Sequence, residues 1–86
     1  MTYEEAIVRA AANNIVKHWE KGFRTVYGEM RDLRYHAKVA LYEVAKCPHL
    51  MEMLSEQLSK HNLSVSLSCM CQEDATPMFV FDLGLK

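Results

Sequence analysis

The sequence has little of the residues that interrupt regular structure. It contains three glycines and two prolines in 86 residues, and no linker-like or low-complexity run is present. It also lacks a glycine-rich loop of the kind that cradles phosphates. No apolar run approaches the roughly 20 residues of a membrane span, so we expect no membrane segment. The acidic start MTYEEA argues against a signal peptide.

An excess of charge of one sign is missing as well. The formal net charge is −1 and the pI is about 6.4, so no overall field draws the chain to nucleic acid or lipid. The three cysteines are an odd number without a framework spacing, from which we expect a reducing, cytoplasmic location. A chain of this length, half of it hydrophobic, predicts a single domain over residues 1–86 with a thin core.

Helix one is predicted over residues 3–21. Thr2 and Glu5 have the spacing of a capping box at its start, and apolar residues then recur at helical intervals as far as Trp19. Gly22 suits the left-handed conformation that ends a helix. The alternative is a helix that continues through Gly22, since one glycine inside a helix costs only about 1 kcal/mol.

Two further helices are predicted on either side of Pro48. Helix two covers residues 24–47 and ends there because the residue before a proline avoids helical geometry. Helix three covers residues 48–61, with Pro48 in its first turn. The predicted core stripe of helix two consists of Val26, Met30, Leu33, Ala37, Leu41 and Val44.

After Asn62 the apolar residues alternate instead of recurring at helical spacing. Residues 63–71 and 78–83 are predicted as half-buried strands, joined by a turn or loop over 73–77. Their lengths and separation fit an antiparallel hairpin. The predicted fold class is therefore α+β, with three helices followed by a C-terminal antiparallel β-hairpin packed on them.

Cys69 and Cys71 lie two residues apart on the first predicted strand. Side chains at this spacing share a face but are roughly 6.5–7 Å apart, which is too far for a disulfide. We interpret them as small apolar residues, metal-free and turned toward the helices. The alternative is a zinc site completed by Cys47 and His49, although two ligands separated by a single residue on a strand diverge.

Helix two, as predicted, has one basic flank with an interleaved tyrosine. We predict that this flank binds a larger protein with an acidic surface. The alternative partner is nucleic acid, whose phosphates the cations would neutralise while the tyrosine stacks on a base. A third interpretation is an ordinary solvated helix face. The residues of this basic flank are Arg24, Tyr27, Arg31, Arg34 and Lys38.

Tyr35, Val39 and Tyr42 form a second apolar ridge on helix two, opposite its core stripe. Contiguous exposed apolar residues usually mark an interface, so we predict an oligomer interface here and a symmetric homodimer. Pairing of hairpin edges is a second way to build that dimer. In the remaining alternative, the sheet of the same chain covers the ridge.

No catalytic constellation is visible. Glu29, Asp32 and His36 have the i, i+3, i+7 spacing of one helix face, but a single helix offers a divalent ion too few ligands. No Gly-x-Ser-x-Gly elbow or HExxH motif is present. We therefore predict a non-enzymatic, cofactor-free interaction protein that acts as a regulator or inhibitor. Accessory proteins of viruses and mobile elements that block host machinery often have this character.

The alternatives for function use the same residues differently. One is a transcriptional regulator that binds nucleic acid through the basic flank. The other is a small zinc-binding domain built on the cysteines.

Overall fold

The computed structural model describes residues 2–30, 36–73 and 76–86, with the backbone alone at 36, 69–73 and 76–77. The fold class is α+β, as predicted, with a three-stranded antiparallel sheet in the order β1-β3-β2. The elements are α1 (Tyr3–Glu20), β1 (Thr25–Glu29), α2 (His36–Ala45), α3 (Pro48–Ser59), β2 (Leu63–Glu73) and β3 (Thr76–Leu85).

Helix α1 begins and ends as its sequence indicates. The Thr2 hydroxyl accepts a hydrogen bond from the Glu5 amide at 3.1 Å, which satisfies one of the free amides of the first turn. Gly22 has a φ of +94°, a left-handed conformation that glycine adopts without steric cost. The helix stops before this residue, so the alternative of one continuous helix through Gly22 is wrong.

Helix α3 and the hairpin confirm the prediction for the second half of the chain. Pro48 occupies the first turn of α3, where its missing amide hydrogen is not needed. Asn62 has a φ of +58° and turns the chain from α3 into β2. Strands β2 and β3 then pair antiparallel and are longer than predicted.

Strand β1 corrects the predicted helix two. Residues 25–29 form a strand, and the next described element is helix α2, His36–Ala45. Val26 lies opposite Phe81 of β3 and Gly28 lies opposite Phe79, so the backbone of this segment bonds to a distant strand instead of to itself. The segment TVYGE favours this outcome because β-branched and aromatic residues suit strands. The hairpin is thus part of a larger sheet in which β3 is central.

Strand β2 contains an irregularity that the sequence did not indicate. Leu67 lies opposite Phe81, but after a register shift Cys69 lies opposite Val80 and Cys71 opposite Met78. Ser68 is the extra residue of this bulge, and the uninterrupted alternation predicted over 63–71 is therefore wrong. The prediction that the two cysteine side chains face the helices falls outside the described side chains.

The core lies between one face of the sheet and the helices. Helix α2 packs on β1, α3 packs on β2, and α1 packs against both of these helices. The largest fully buried side chain is Phe81, in the middle of the central strand. The other fully buried large side chains are Ile15, Leu41, Leu54, Leu58, Val8, Val26 and Val44.

Candidate interaction surface

The sheet has one face that no described helix covers. Phe81, Val26 and Leu63 point into the core, so the residues that alternate with them point the other way. On that side Tyr27 is 44% exposed, and Val80 and Met78 are half-buried. We call this side the open face. Its described residues are Thr25, Tyr27, Glu29, Ser64, Ser66, Met78, Val80 and Asp82.

Apolar surface runs across the centre of the open face. Tyr27 on β1 lies directly opposite Val80 on β3, and Glu29 lies opposite Met78. Directly opposite residues of antiparallel strands have neighbouring side chains on one face. An exposed tyrosine beside half-buried Val80 and Met78 therefore gives the open face an amphipathic centre, with Thr25 and Asp82 toward one end.

A shallow cleft of about 320 Å³ lies at the β1 edge of the open face. Tyr27 and Glu29 from β1, Met78 from β3 and Lys38 from α2 line it. Glu29 is only 9% exposed although it lines this cleft. The cleft places an aromatic ring, a thioether, a cation and an anion within one small surface. Tyrosine and methionine are enriched at protein interfaces, whereas lysine and glutamate are depleted there.

The described residues of the predicted basic flank do not all lie together in the structure. Tyr27 and Lys38 line the same cleft, although they lie on a strand and a helix rather than on one helix face. Arg24 lies elsewhere, with its guanidinium carbon 3.9 Å from the centroid of the Trp19 ring and a hydrogen bond to the Phe23 carbonyl. The flank as one continuous helical strip is therefore wrong, because residues 25–29 are a strand. Arg31 and Arg34 lie outside the described residues, and their role in binding stays a prediction.

The second apolar ridge is partly inside the molecule. Tyr42 is 8% exposed, and its ring contacts Phe79 of β3 with the centroids 5.3 Å apart. The sheet of the same chain thus covers Tyr42, as one of the sequence-based alternatives held. Val39 is half-buried and Tyr35 lies outside the described residues. An oligomer interface at this ridge stays a prediction.

Val39 contributes to an apolar groove between α1 and α2 that the sequence did not reveal. The groove has a volume of about 210 Å³. Tyr3, Ile7 and Ala10 line it from α1, and Val39 and Glu43 line it from α2. Tyr3 is 78% exposed. The helical spacing of Tyr3, Ile7 and Ala10 is visible in the sequence. The α2 residues across the groove follow only from the packing of the two helices.

The spacing proposed for a metal on helix two is not formed. Glu29 lies on β1 and His36 begins α2, so these residues do not share a helix face. No group of three or more metal-ligating side chains occurs within the described part of the chain. His49 Nε2 lies 3.7 Å from the Glu4 carboxylate, while the zinc alternative depends on the Cys69 and Cys71 side chains, which are not described.

Among the described helices, none is both long enough and apolar enough to cross a membrane. Comparison with known proteins adds no functional information. The chain matches no known protein family, and no curated protein or solved structure is significantly similar to it.

Proposed function

We propose that the protein is a small non-enzymatic binding protein that acts as a regulator or inhibitor by covering part of a larger macromolecule with its open face. The observation that carries the proposal is the exposure of Tyr27 beside half-buried Val80 and Met78 on a sheet face that no described helix covers. An aromatic anchor surrounded by semi-exposed apolar groups is the usual centre of a binding patch. We further propose that the protein works in the cytoplasm, because Cys47 is free.

The partner that we propose is a protein with an acidic surface. Lys38 borders Tyr27 in the cleft at the β1 edge, and Arg31 and Arg34 lie between β1 and α2 in the sequence. Cations beside an aromatic anchor favour partners with carboxylates at the matching positions. A partner captured in this way should be released as salt is added, because exposed ion pairs are screened.

Affinity capture with matched surface variants tests the proposal. Tagged wild type should retain a binding protein from lysate of its native host, and Tyr27→Asp should lose it. Tyr3→Asp is the control, because Tyr3 is an even more exposed tyrosine on α1. Lys38→Glu should weaken retention and its salt dependence together. Equal retention by Tyr27→Asp and Tyr3→Asp would move the binding surface away from the open face.

The second candidate is a nucleic-acid-binding regulator, and the same tyrosine favours it. A tyrosine exposed on an open antiparallel sheet provides a platform on which a base can stack, and Lys38 lines the same cleft as this tyrosine. Asp82 and Glu29 on the same face oppose any anionic partner, and they oppose a nucleic acid more than an acidic protein because its charge is denser. A gel shift at low salt with single-stranded and duplex DNA and RNA separates the candidates, and a shift lost in Tyr27→Ala would favour the nucleic acid.

We also propose that the chain is a homodimer. The support is the thin core expected of a small domain, together with a sheet that has two edges within the described chain.

A further inference from the structure

Strand β2 is an edge of the sheet, and half of its backbone groups point away from the molecule. In the order β1-β3-β2 it has a described neighbour on one side. The Lys86 amide donates to the Asn62 carbonyl at 3.0 Å, which fixes the phase of the ladder. Since hydrogen-bonded and non-bonded pairs alternate in antiparallel strands, Ser64 and Ser66 bond to β3. The amides and carbonyls of the alternating residues Leu63, Val65 and Leu67 point outward.

Apart from a bulge at Ser68, this edge lacks the features that normally prevent strands from pairing with other chains. Natural edge strands are usually short, charged or interrupted by proline. Strand β1, the opposite edge, has five residues and ends in Glu29. Strand β2 has 11 residues, no proline and no charged residue before Glu73. The bulge at Ser68 ends its regular part, which is Leu63–Leu67.

The regular part of this edge has the same sequence in both directions, Leu-Ser-Val-Ser-Leu. When two copies pair antiparallel about a two-fold axis at Val65, Val65 lies opposite Val65 of the second copy. Leu63 then lies opposite Leu67, and Ser64 opposite Ser66. Because the outward-pointing residues are the ones that face each other, each outward amide meets an outward carbonyl.

The side chains fit this register as well as the backbone does. Leu63, Val65 and Leu67 lie on the core side of the sheet, and their exposure increases from buried Leu63 to Leu67, which is 41% exposed. Pairing in this register places the exposed Leu67 beside Leu63 of the second copy. Ser64 and Ser66 are exposed on the open face, where opposed hydroxyl groups can hydrogen-bond across strands.

We propose that the chain dimerises by antiparallel pairing of Leu63–Leu67 with the same segment of a second copy, about a two-fold axis at Val65. A second copy is the occupant because the segment is complementary to itself in pattern and carries no like charges that would repel. This inference rests on the homodimer proposed above. It adds that the two copies meet at their β2 edges, with Val65 opposite Val65. The two-fold axis is perpendicular to the sheet, so both open faces lie on the same side of one six-stranded sheet.

Disulfide trapping tests the register. In a background with Cys47→Ala, Cys69→Ala and Cys71→Ala, the variant Val65→Cys should form a covalent dimer on mild oxidation. Opposed Cα atoms in such a pair are about 5.5 Å apart, within the Cα range of disulfides, and the β-carbons must approach each other by about 1 Å for the bond to close. Ser66→Cys is the control and should stay uncrosslinked, because two copies of position 66 are offset by two residues along each strand. Equal crosslinking of both variants, or of Ser66→Cys alone, would overturn the register.

Two single proline variants, one on each edge strand, test whether the copies pair through β2. Val65→Pro removes an amide that points outward, so the paired structure within one chain should survive, as judged by circular dichroism. Light scattering should show its mass falling from twice 9.9 kDa to 9.9 kDa. The matched variant Thr25→Pro on the β1 edge should stay dimeric. A wild-type chain that is monomeric at high micromolar concentration would overturn the dimer itself, whereas loss of the dimer in Thr25→Pro would overturn only the edge.

Partner capture through Tyr27 is measured separately from these masses. If wild type captured no partner, the proposed binding function would be refuted. A dimer crosslinked at Val65→Cys would still support the proposed register.

Discussion

Gly28 of β1 lies so close to Tyr42 of α2 that a β-carbon at Gly28 would come within 2.6 Å of the Tyr42 amide nitrogen. The same β-carbon would lie 2.8 Å from the Leu41 carbonyl carbon and 2.9 Å from the Leu41 β-carbon. Most of these neighbours are backbone atoms, which cannot move aside as a flexible side chain does. The absence of a side chain at Gly28 therefore sets how closely α2 packs on the sheet.

Gly28→Ala should destabilise the protein by about 2–3 kcal/mol, because α2 must move away from β1 and its packing is lost. Denaturant unfolding followed by circular dichroism measures this change. Gly84→Ala is the control on the central strand, where the nearest atom to a new β-carbon is the Ser64 hydroxyl oxygen at 3.4 Å. Its effect should stay within about 0.5 kcal/mol. Equal effects of the two substitutions would refute the close approach of helix and strand.

Thr2→Ala should lower the free energy of unfolding by about 1 kcal/mol, because the Glu5 amide loses the hydroxyl that caps α1. Thr2→Ser retains an oxygen at the same place and should be close to wild type. Thermal unfolding of the three proteins gives the comparison. A serine variant as unstable as the alanine variant would show that the methyl group, not the cap, matters.

Asn62→Ala should cost about 1 kcal/mol, since alanine lacks the short polar side chain whose local hydrogen bonds let asparagine adopt the left-handed conformation. Asn62→Gly should be at least as stable as wild type, because glycine reaches this conformation freely. Urea denaturation distinguishes the two variants. If glycine is the more damaging residue, then the asparagine side chain itself contributes a contact at this turn.

Arg24→Gln should destabilise the fold by about 0.5–1 kcal/mol through loss of its stacking on Trp19. Trp19 is the only tryptophan, so its fluorescence reports this contact directly and its emission should change in the variant. Lys21→Gln is a control that removes a neighbouring exposed cation and should leave the emission unaltered. Retained partner capture in Arg24→Gln would assign Arg24 to folding rather than to binding.

Protein purified without a metal-binding tag should contain no zinc, since Cys69 and Cys71, separated by a single residue on a strand, diverge. Native mass spectrometry gives the metal content directly. One zinc per chain that is lost in Cys69→Ser would instead establish a zinc site, and the alternative with Cys47 and His49 would become the leading interpretation.

The elements that the sequence predicts correctly are those whose signals are local. The cap at Thr2, the proline at Pro48 and the turn at Asn62 each act within a few residues, and the boundaries of α1 and α3 follow from them. The alternation in β3 and over Leu63–Leu67 of β2 is also local, whereas the bulge at Ser68 has no local signal. Phe79, Phe81 and Leu83 alternate with other residues along the last strand, and Phe81 and Leu83 are buried on its core side.

The sequence predicts a helix where β1 lies, because the apolar residues of this segment also have helical spacing. Val26 and Met30 lie four residues apart and continue the spacing of the helix two stripe. The segment TVYGE has strong strand propensity and a central glycine, and these features were available to oppose the helical interpretation. What decides between the two is Phe81, which is distant in sequence and offers Val26 a backbone partner.

The candidate surface was even less accessible from sequence. Tyr27 and Lys38 were grouped correctly, but for a reason that the structure contradicts, since one lies on a strand and the other on a helix. Their shared cleft depends on α2 lying across the β1 edge. The open face requires knowing on which side of the sheet the helices pack, and no short-range pattern contains that information.

The position of β3 at the centre of the sheet makes the order of synthesis matter. Val26 emerges from the ribosome before Phe81 exists, and at about 5–20 residues per second the delay is roughly 3–10 seconds. During that interval both β1 and β2 lack the strand with which they pair. The sheet therefore forms only after β3 has been made, and the pairing of Val26 with Phe81 belongs to the late, non-local steps of folding.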